Sequence, residues 1–283
     1  MPGIRCAPMI AMGNEFIHLC QPDAGKSCGA CCGLYNYADN SRESLIRRLK
    51  DRTELFRQTA GDPEGLARYS ETVRGREDPS RIYEVIYCCE YLGFMDPECR
   101  RTGCLLHPAG NGGNDRRDVS FYGRELCDGH FCPSYHYLSQ EEKIALINIM
   151  DDWHLYGLCI TDIDLVKEYF RFIGDGICRV PKPDLFRRAP FRDIALRYFR
   201  WKLDWPYRTT DPHRFGKYAF GGGHYMIPYI DYEALGCPRS RFDKIFLSLS
   251  SEFRDSREVR HAEAMVRENI DAFISACLSE EHN

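Results

Sequence analysis

Apolar positions recur at helical spacing through much of this chain. Over residues 41–60, Leu45, Ile46, Leu49, Leu55 and Phe56 share one side, with arginines and glutamates on the other. That pattern predicts an amphipathic helix with a solvated charged face, stopped by Gly61-Asp62-Pro63. After His136 the helical signal strengthens. Ser139-Gln140-Glu141-Glu142 reads as a capping box opening a helix that carries Ile144, Ile147, Met150, Trp153 and His154. Residues 161–173 predict another helix, with Thr161 as N-cap and Gly174 as stop. Pro190 starts a third, bearing Ile194, Ala195, Tyr198, Phe199 and Trp201, and residues 242–250 and 258–278 close the chain as helices.

Two stretches lack this periodicity. Residues 97–133 are irregular and rich in turn residues, with Gly110, Asn111, Gly112, Gly113, Asn114 and Asp115 in succession, and Phe121-Tyr122-Gly123 reads as a short strand. Residues 205–236 are aromatic and glycine-rich, and Gly221, Gly222 and Gly223 run directly into His224. The simpler reading of this second stretch is a loop packed by its aromatics. The alternative is a pocket with His224 as its polar contact, since consecutive glycines permit close backbone approach to a ligand. The expected fold is mainly α, with little β and an irregular, metal-organised N-terminal half. Residues 1–136 form a cysteine-rich region on which a helical region, 137–283, packs as one unit.

Composition fits a folded chain: 43% of the 283 residues are hydrophobic and 28% charged, with a net charge of −4. No basic stripe accompanies that charge, so nucleic-acid binding is not expected. No run approaches the ~18 apolar residues of a membrane helix, and the first twenty residues lack the apolar core of a secretory signal. These features place the protein in the cytoplasm, where thiols stay reduced and a disulfide scaffold is disfavoured.

The 15 cysteines therefore need another account. Cys6, Cys159, Cys178, Cys237 and Cys277 are singletons, each read as a small buried hydrophobe. The other ten lie in three blocks. The first is Cys20, Cys28, Cys31 and Cys32, with Gly29, Ala30 and Gly33 around them; the second is Cys88, Cys89, Cys99 and Cys104, followed by His107; the third is Cys127 and Cys132, with His130 between and His136 just after. A Cys-x2-Cys step aims two sulfurs at one metal, and small neighbours let backbone amides approach them. The expected ligands are Cys28, Cys31, Cys32, Cys89, Cys104, Cys127 and Cys132, with Cys20, Cys88, Cys99, His107 and His130 as further candidates. In the adjacent pairs Cys31-Cys32 and Cys88-Cys89, successive side chains diverge, so one member can face a metal while the other faces the core or a second site. All-thiolate ligation suits an iron–sulfur cluster, with 4Fe–4S favoured, or structural zinc; no carboxylate cluster points to a harder metal.

The sequence Cys28-Gly29-Ala30-Cys31-Cys32, followed by Cys89-Glu90-Tyr91-Leu92, by Gly103-Cys104-Leu105-Leu106-His107-Pro108 and by Cys127 or Cys132, resembles the CxxCxxCC family (YkgJ-type) of proposed zinc- or iron-chelating proteins. A similar cluster occurs in the flagellin lysine-methylating enzymes. The resemblance covers roughly residues 20–135 and implies a chelated metal, with an iron–sulfur role by analogy to those enzymes. It departs from the family pattern at the long Cys20–Cys28 spacing, at His107-Pro108 and over residues 40–87. Three functions follow as expectations: a structural or redox metal module serving a protein partner, an enzyme of methyltransferase-like or redox type acting on a small molecule near residues 205–236, or metal delivery. No Gly-x-Ser-x-Gly, His-Glu-x-x-His or radical-SAM cysteine triplet is present.

Overall fold

The computed structural model describes residues 17–222 and 224–281. Cys6 and Gly223 lie outside the described residues. The fold is mainly α, 53% helical with 7% strand.

The expected helix at 41–60 forms as α1, Arg42–Thr59, because the Ser41 side chain caps its N-terminus by accepting from the Ser44 amide. Its buried face is Leu45, Leu49, Arg52 and Thr53, at helical spacing. Arg42, Glu43, Arg47, Lys50, Asp51, Glu54 and Arg57 are exposed as expected of the charged face, and Arg52 is the exception. It is 2% exposed, donates to both oxygens of the Glu77 carboxylate, to the Tyr37 hydroxyl and to the Cys89 carbonyl, and keeps its charge through those partners. Burial works against the guanidinium, and the Glu77 hydrogen bond holds its pKa up. Pro63 does not only stop α1: with Asp62 as N-cap it starts α2, Pro63–Arg76, which carries Glu77 back to Arg52. α1, with α2 alongside it, packs on a hairpin of β1, Leu92–Phe94, and β2, Thr102–Cys104, paired antiparallel with Leu92 opposite Cys104. Thr53 of α1 accepts from the Phe94 amide at 2.8 Å, so α1 does pack over the cysteine loops.

Residues 97–133 contain more core than expected. Leu105 and Leu106 are buried with Leu66, Tyr69, Val73, Cys89 and Tyr91. Phe121-Tyr122-Gly123 is not a strand: Phe121 is 68% exposed and Gly123 opens the short helix α3, Gly123–Gly129. One further turn, α4, Ser134–Tyr137, leads into the helical half.

There the capping box at Ser139 is present, but the helix it opens is shorter than its apolar pattern suggests. α5 ends at Ile149, and α6, Trp153–Ile160, begins afresh with Asp152 accepting from the amides of His154 and Leu155. Thr161 closes α6 instead of opening the next helix; Asp162 caps α7, Ile163–Ile177, which runs through Gly174 and ends at Cys178 in the left-handed conformation. α8, Ala189–Asp204, has its proline in the first turn as expected, and α9, Asp243–Ser248, and α10, Ser256–Glu281, close the chain. These helices share one aromatic-rich core around Tyr169, Tyr198, Phe199, Phe242, Phe246 and Phe273, to which Leu19 also belongs.

Residues 205–236 are not simply a loop. They include a three-stranded antiparallel sheet of β3, Arg214–Phe215, β4, Tyr218–Gly221, and β5, His224–Met226. The Tyr83 phenol accepts from the Phe215 amide at 3.1 Å and lies 3.0 Å from the Phe215 and Tyr218 carbonyls, tying this sheet to the N-terminal half. Trp153 and Leu158 of α6 complete the small core of Leu34, Tyr35, Leu45, Leu49, Leu92 and Phe94, so the two halves share buried surface. No helix among the described residues is long and apolar enough to cross a membrane.

Candidate metal centre

Four separated stretches bring cysteines together. The first loop runs from Cys20 to Cys32. The Cys28 amide donates to the Cys20 carbonyl at 2.9 Å, closing the loop on itself. Ser27 and Gln21 then staple it to β2: the Thr102 amide donates to Ser27 Oγ at 2.6 Å, and Gln21 Nε2 donates to the Thr102 carbonyl at 2.9 Å. Residues 30–32 make a single tight turn that ends at Gly33, whose φ of 79° suits glycine. A Cβ on Gly33 would stand 2.3 Å from the Tyr87 carbonyl oxygen, so the first loop touches the chain just before Cys88. The Cys89 amide donates to the Cys32 carbonyl at 2.9 Å across that contact.

Two groups of thiols result. Cys20, Cys28, Cys31 and Cys132 form one. Tyr135 joins its ends, for its amide donates to the Cys132 carbonyl at 3.0 Å while its hydroxyl lies 3.7 Å from Cys20 Sγ. Burial pushes the Cys28 thiol up, and Cys20 and Cys132 add to the shift. Cys31 shares a hydrogen bond with Cys132, which raises Cys31 and brings Cys132 down to about 6. Cys32, Cys89, Cys104 and Cys127 form the other group. Cys32, Cys89 and Cys104 border one apolar cluster, and β1 and β2 carry Cys104 to a position opposite Leu92, three residues beyond Cys89. Burial is the largest influence raising Cys32, followed by the charges that Cys89, Cys104 and Cys127 would carry and, last, by Cys20 of the first group. Cys89 is pushed up to about 12 by burial. Arg117, paired with Asp115 and with Asp128 of α3, lies near enough to Cys104 to favour its thiolate.

Backbone amides are aimed at several of these sulfurs. The amide of Ala30 favours the Cys28 thiolate, Tyr91 that of Cys89, Leu106 that of Cys104 and Ser134 that of Cys132, while the His107 and Tyr135 amides donate to the Cys104 and Cys132 carbonyls. At each thiolate the donor is the second residue on. Such amides stabilise thiolate over thiol. Three cysteines outside the groups behave oppositely. Cys99, Cys159 and Cys178 each donate S–H to a backbone carbonyl at 3.7 Å. Cys88 is buried in the core beside Leu34 and Tyr35, where Asn36 Nδ2 donates to it. The adjacent pairs therefore resolve differently: Cys88 faces the core while Cys89 faces the second group, and Cys31 and Cys32 are split between the two groups.

The other candidates are placed apart. Cys99 has a φ of 59° and sits in the tight turn between β1 and β2. His107 caps the short turn at Pro108–Gly110, its Nδ1 accepting from the Ala109 amide, and His130 is exposed at the end of α3. His224 is exposed on β5. Of the singletons, Cys159 and Cys277 are buried as expected, but Cys178 is exposed and Cys237 only half-buried. The described cysteines are all free thiols. The eight grouped thiols gather without closing: among the described residues, no three His, Cys, Asp or Glu side chains stand as a ready-made cage for a metal ion. Cys20 was the weakest sequence candidate to be drawn into a group; its signal was its position one tight loop before Cys28. Tyr135 and Arg117, which touch or flank the thiols, carried no sequence signal.

The chain matches no protein-family model, no curated protein and no solved structure.

Proposed function

We propose that this protein binds metal through its N-terminal thiols, as an iron–sulfur cluster or structural zinc, and that the metal fixes the loops of the N-terminal half in a structural or redox role. The observation that carries this reading is that the fold brings cysteines from separated stretches of chain side by side, with the Cys28 amide bonded to the Cys20 carbonyl, the Cys89 amide to the Cys32 carbonyl and Tyr135 bridging Cys132 and Cys20, and nearby amides favour the thiolates of Cys28, Cys89, Cys104 and Cys132. Such amides offset part of the cost of a buried thiolate. The donor chemistry fits too. The grouped side chains are all thiols, with no carboxylate among them, which suits zinc or iron–sulfur and not calcium or magnesium.

Hydrogen bonds hold the backbone of the first loop against β2 and against Cys89, which brings the first two cysteine blocks side by side. Metal binding deprotonates the thiols, so the burial that raises Cys28, Cys32 and Cys89 opposes loading at low pH and the metal charge overcomes it. The hydrogen bond between Tyr135 and Cys20 would tune a bound cluster, since hydrogen bonds to sulfur set its potential.

The test is purification without oxygen, followed by a visible spectrum and analysis for iron, zinc and acid-labile sulfide. A brown protein with iron and sulfide in equal amounts, or a colourless one with stoichiometric zinc, is the expected result. Folded protein carrying neither metal would refute the reading.

A further inference from the structure

The order of the thiols along the chain is as informative as their grouping. Cys20, Cys28 and Cys31 come first, then all four of Cys32, Cys89, Cys104 and Cys127, and only then Cys132. The second set is nested inside the one long loop of the first. We propose that the thiols make two four-thiolate centres, Cys20/Cys28/Cys31/Cys132 and Cys32/Cys89/Cys104/Cys127, and that loading either one helps to load the other. This inference rests on the metal-binding reading above and adds to it the number of centres, their ligands and their coupling.

The hydrogen bonds divide the chain in the same way. The Cys20–Cys28 backbone bond and the two contacts of Tyr135 hold the first set together. The Cys32–Cys89 backbone bond and the β1–β2 pairing hold three members of the second. The peptide bond between Cys31 and Cys32 joins the centres at one end, and the short segment from Cys127 to Cys132 joins them at the other.

The coupling follows from loop closure. Before any metal binds, bringing Cys132 to Cys31 closes a loop of about 100 residues. Once the second centre holds Cys32 against Cys127, only about six links separate Cys31 from Cys132. Closure probability scales as the inverse three-halves power of loop length, so the second centre raises the affinity of the first by at most roughly 70-fold. Linkage makes the effect reciprocal: a filled first centre helps the second by the same factor. Packing that partly closes the loop without metal lowers the coupling below that ceiling, to several-fold.

Zinc is the probe, because it accepts four thiolates and needs neither sulfide nor an oxidant. The full-length protein, stripped of metal and kept reduced, is titrated with zinc and followed by native mass spectrometry. Zinc affinities are measured by chelator competition in the full-length protein and in two double variants, C20S/C132S and C89S/C104S. The expected result is two zinc ions in the wild type and one in each variant, bound more weakly than in the wild type by the same factor, between several-fold and roughly 70-fold. At half saturation, centres of equal affinity coupled this strongly would leave about a tenth of the wild-type chains singly loaded, against about half for independent ones. One ion bound in each variant as tightly as in the wild type would overturn the coupling, two ions in either variant would overturn the ligand assignment, and a single ion lost equally to both double variants would overturn the division into two centres. If a double variant does not fold, the wild-type stoichiometry and its singly loaded fraction still decide. A wild type that binds no zinc and carries no iron would instead overturn the metal-binding reading itself.

Discussion

At the scale of single residues, buried charge beside the second thiol group shapes the local chemistry. Glu90 is 3% exposed and follows Cys89 directly. Burial would raise its carboxyl, but the Tyr87 phenol, the Ser70 hydroxyl and the Arg74 guanidinium all donate to it, and the net effect is a pKa below the ordinary glutamate value. A carboxylate with a lowered folded-state pKa stabilises the fold fully above its unfolded value, and the contribution is lost as pH falls through the lowered one. Glu90→Gln is therefore expected to cost about 1–2 kcal/mol at neutral pH and to flatten the acid side of the stability curve. Urea unfolding of both proteins from pH 7 down to pH 3 measures this; curves that stay parallel throughout would disprove it. The same neighbourhood explains Arg52. An arginine on the face of α1 that buries Leu45 and Leu49 is tolerated because α2 delivers the Glu77 carboxylate to it, 25 residues along the chain.

Among the elements, the break between α5 and α6 is the most consequential departure from the hydrophobic pattern. Apolar residues continue through Met150 to Trp153, yet Asp152 intervenes, and its side chain satisfies two amides at the start of α6 while pairing with Arg42 of α1 at 2.9 Å. The new direction of α6 places Trp153 under Phe94 of β1, with ring centroids 5.9 Å apart, and Leu158 in the core of the N-terminal half. Asp152→Ala removes both cap and ion pair and should lower stability by about 1–2 kcal/mol, and the melting temperature by about 2–6 °C. Asp152→Asn keeps the cap and should recover most of the loss. Equal melting temperatures for the two variants would show that the ion pair, not the cap, sets the break.

For the whole molecule, the two halves are stabilised by different means. Helices α5 to α10 enclose a continuous apolar core that includes no member of the second thiol group. The N-terminal half has two smaller cores and long connections, and in the metal-binding reading the thiols supply what its packing lacks. Stripping the metal with a chelator should therefore leave most of the far-ultraviolet helical signal while exposing residues 30–130 to protease. Mass spectrometry of the digest should return a resistant fragment beginning near residue 137. Complete loss of the helical signal would show that both halves depend on the metal, and unchanged resistance would show that neither does.

Much was legible in the amino-acid sequence. Helical periodicity and local caps need only residues close in sequence, so α1, the start of α5, α8 and α10 could be read directly. The crowding of cysteines between Cys20 and Cys132 marked the candidate site in the same way. The three strands of residues 214–226 were not legible, since each is too short for alternation to build a pattern. Nor was the helix α2, because Pro63 reads equally well as a stop and as a first residue. Side-chain alternation says only that neighbouring cysteines diverge. It does not say that Cys88 turns to the core, or that Cys31 and Cys32 part towards different groups. Those choices belong to the tertiary structure, because the residues that decide them, Asn36, Cys104, Cys127, Cys132 and Tyr135, reach the thiols across long stretches of chain and only after the helices and the β1–β2 hairpin have packed.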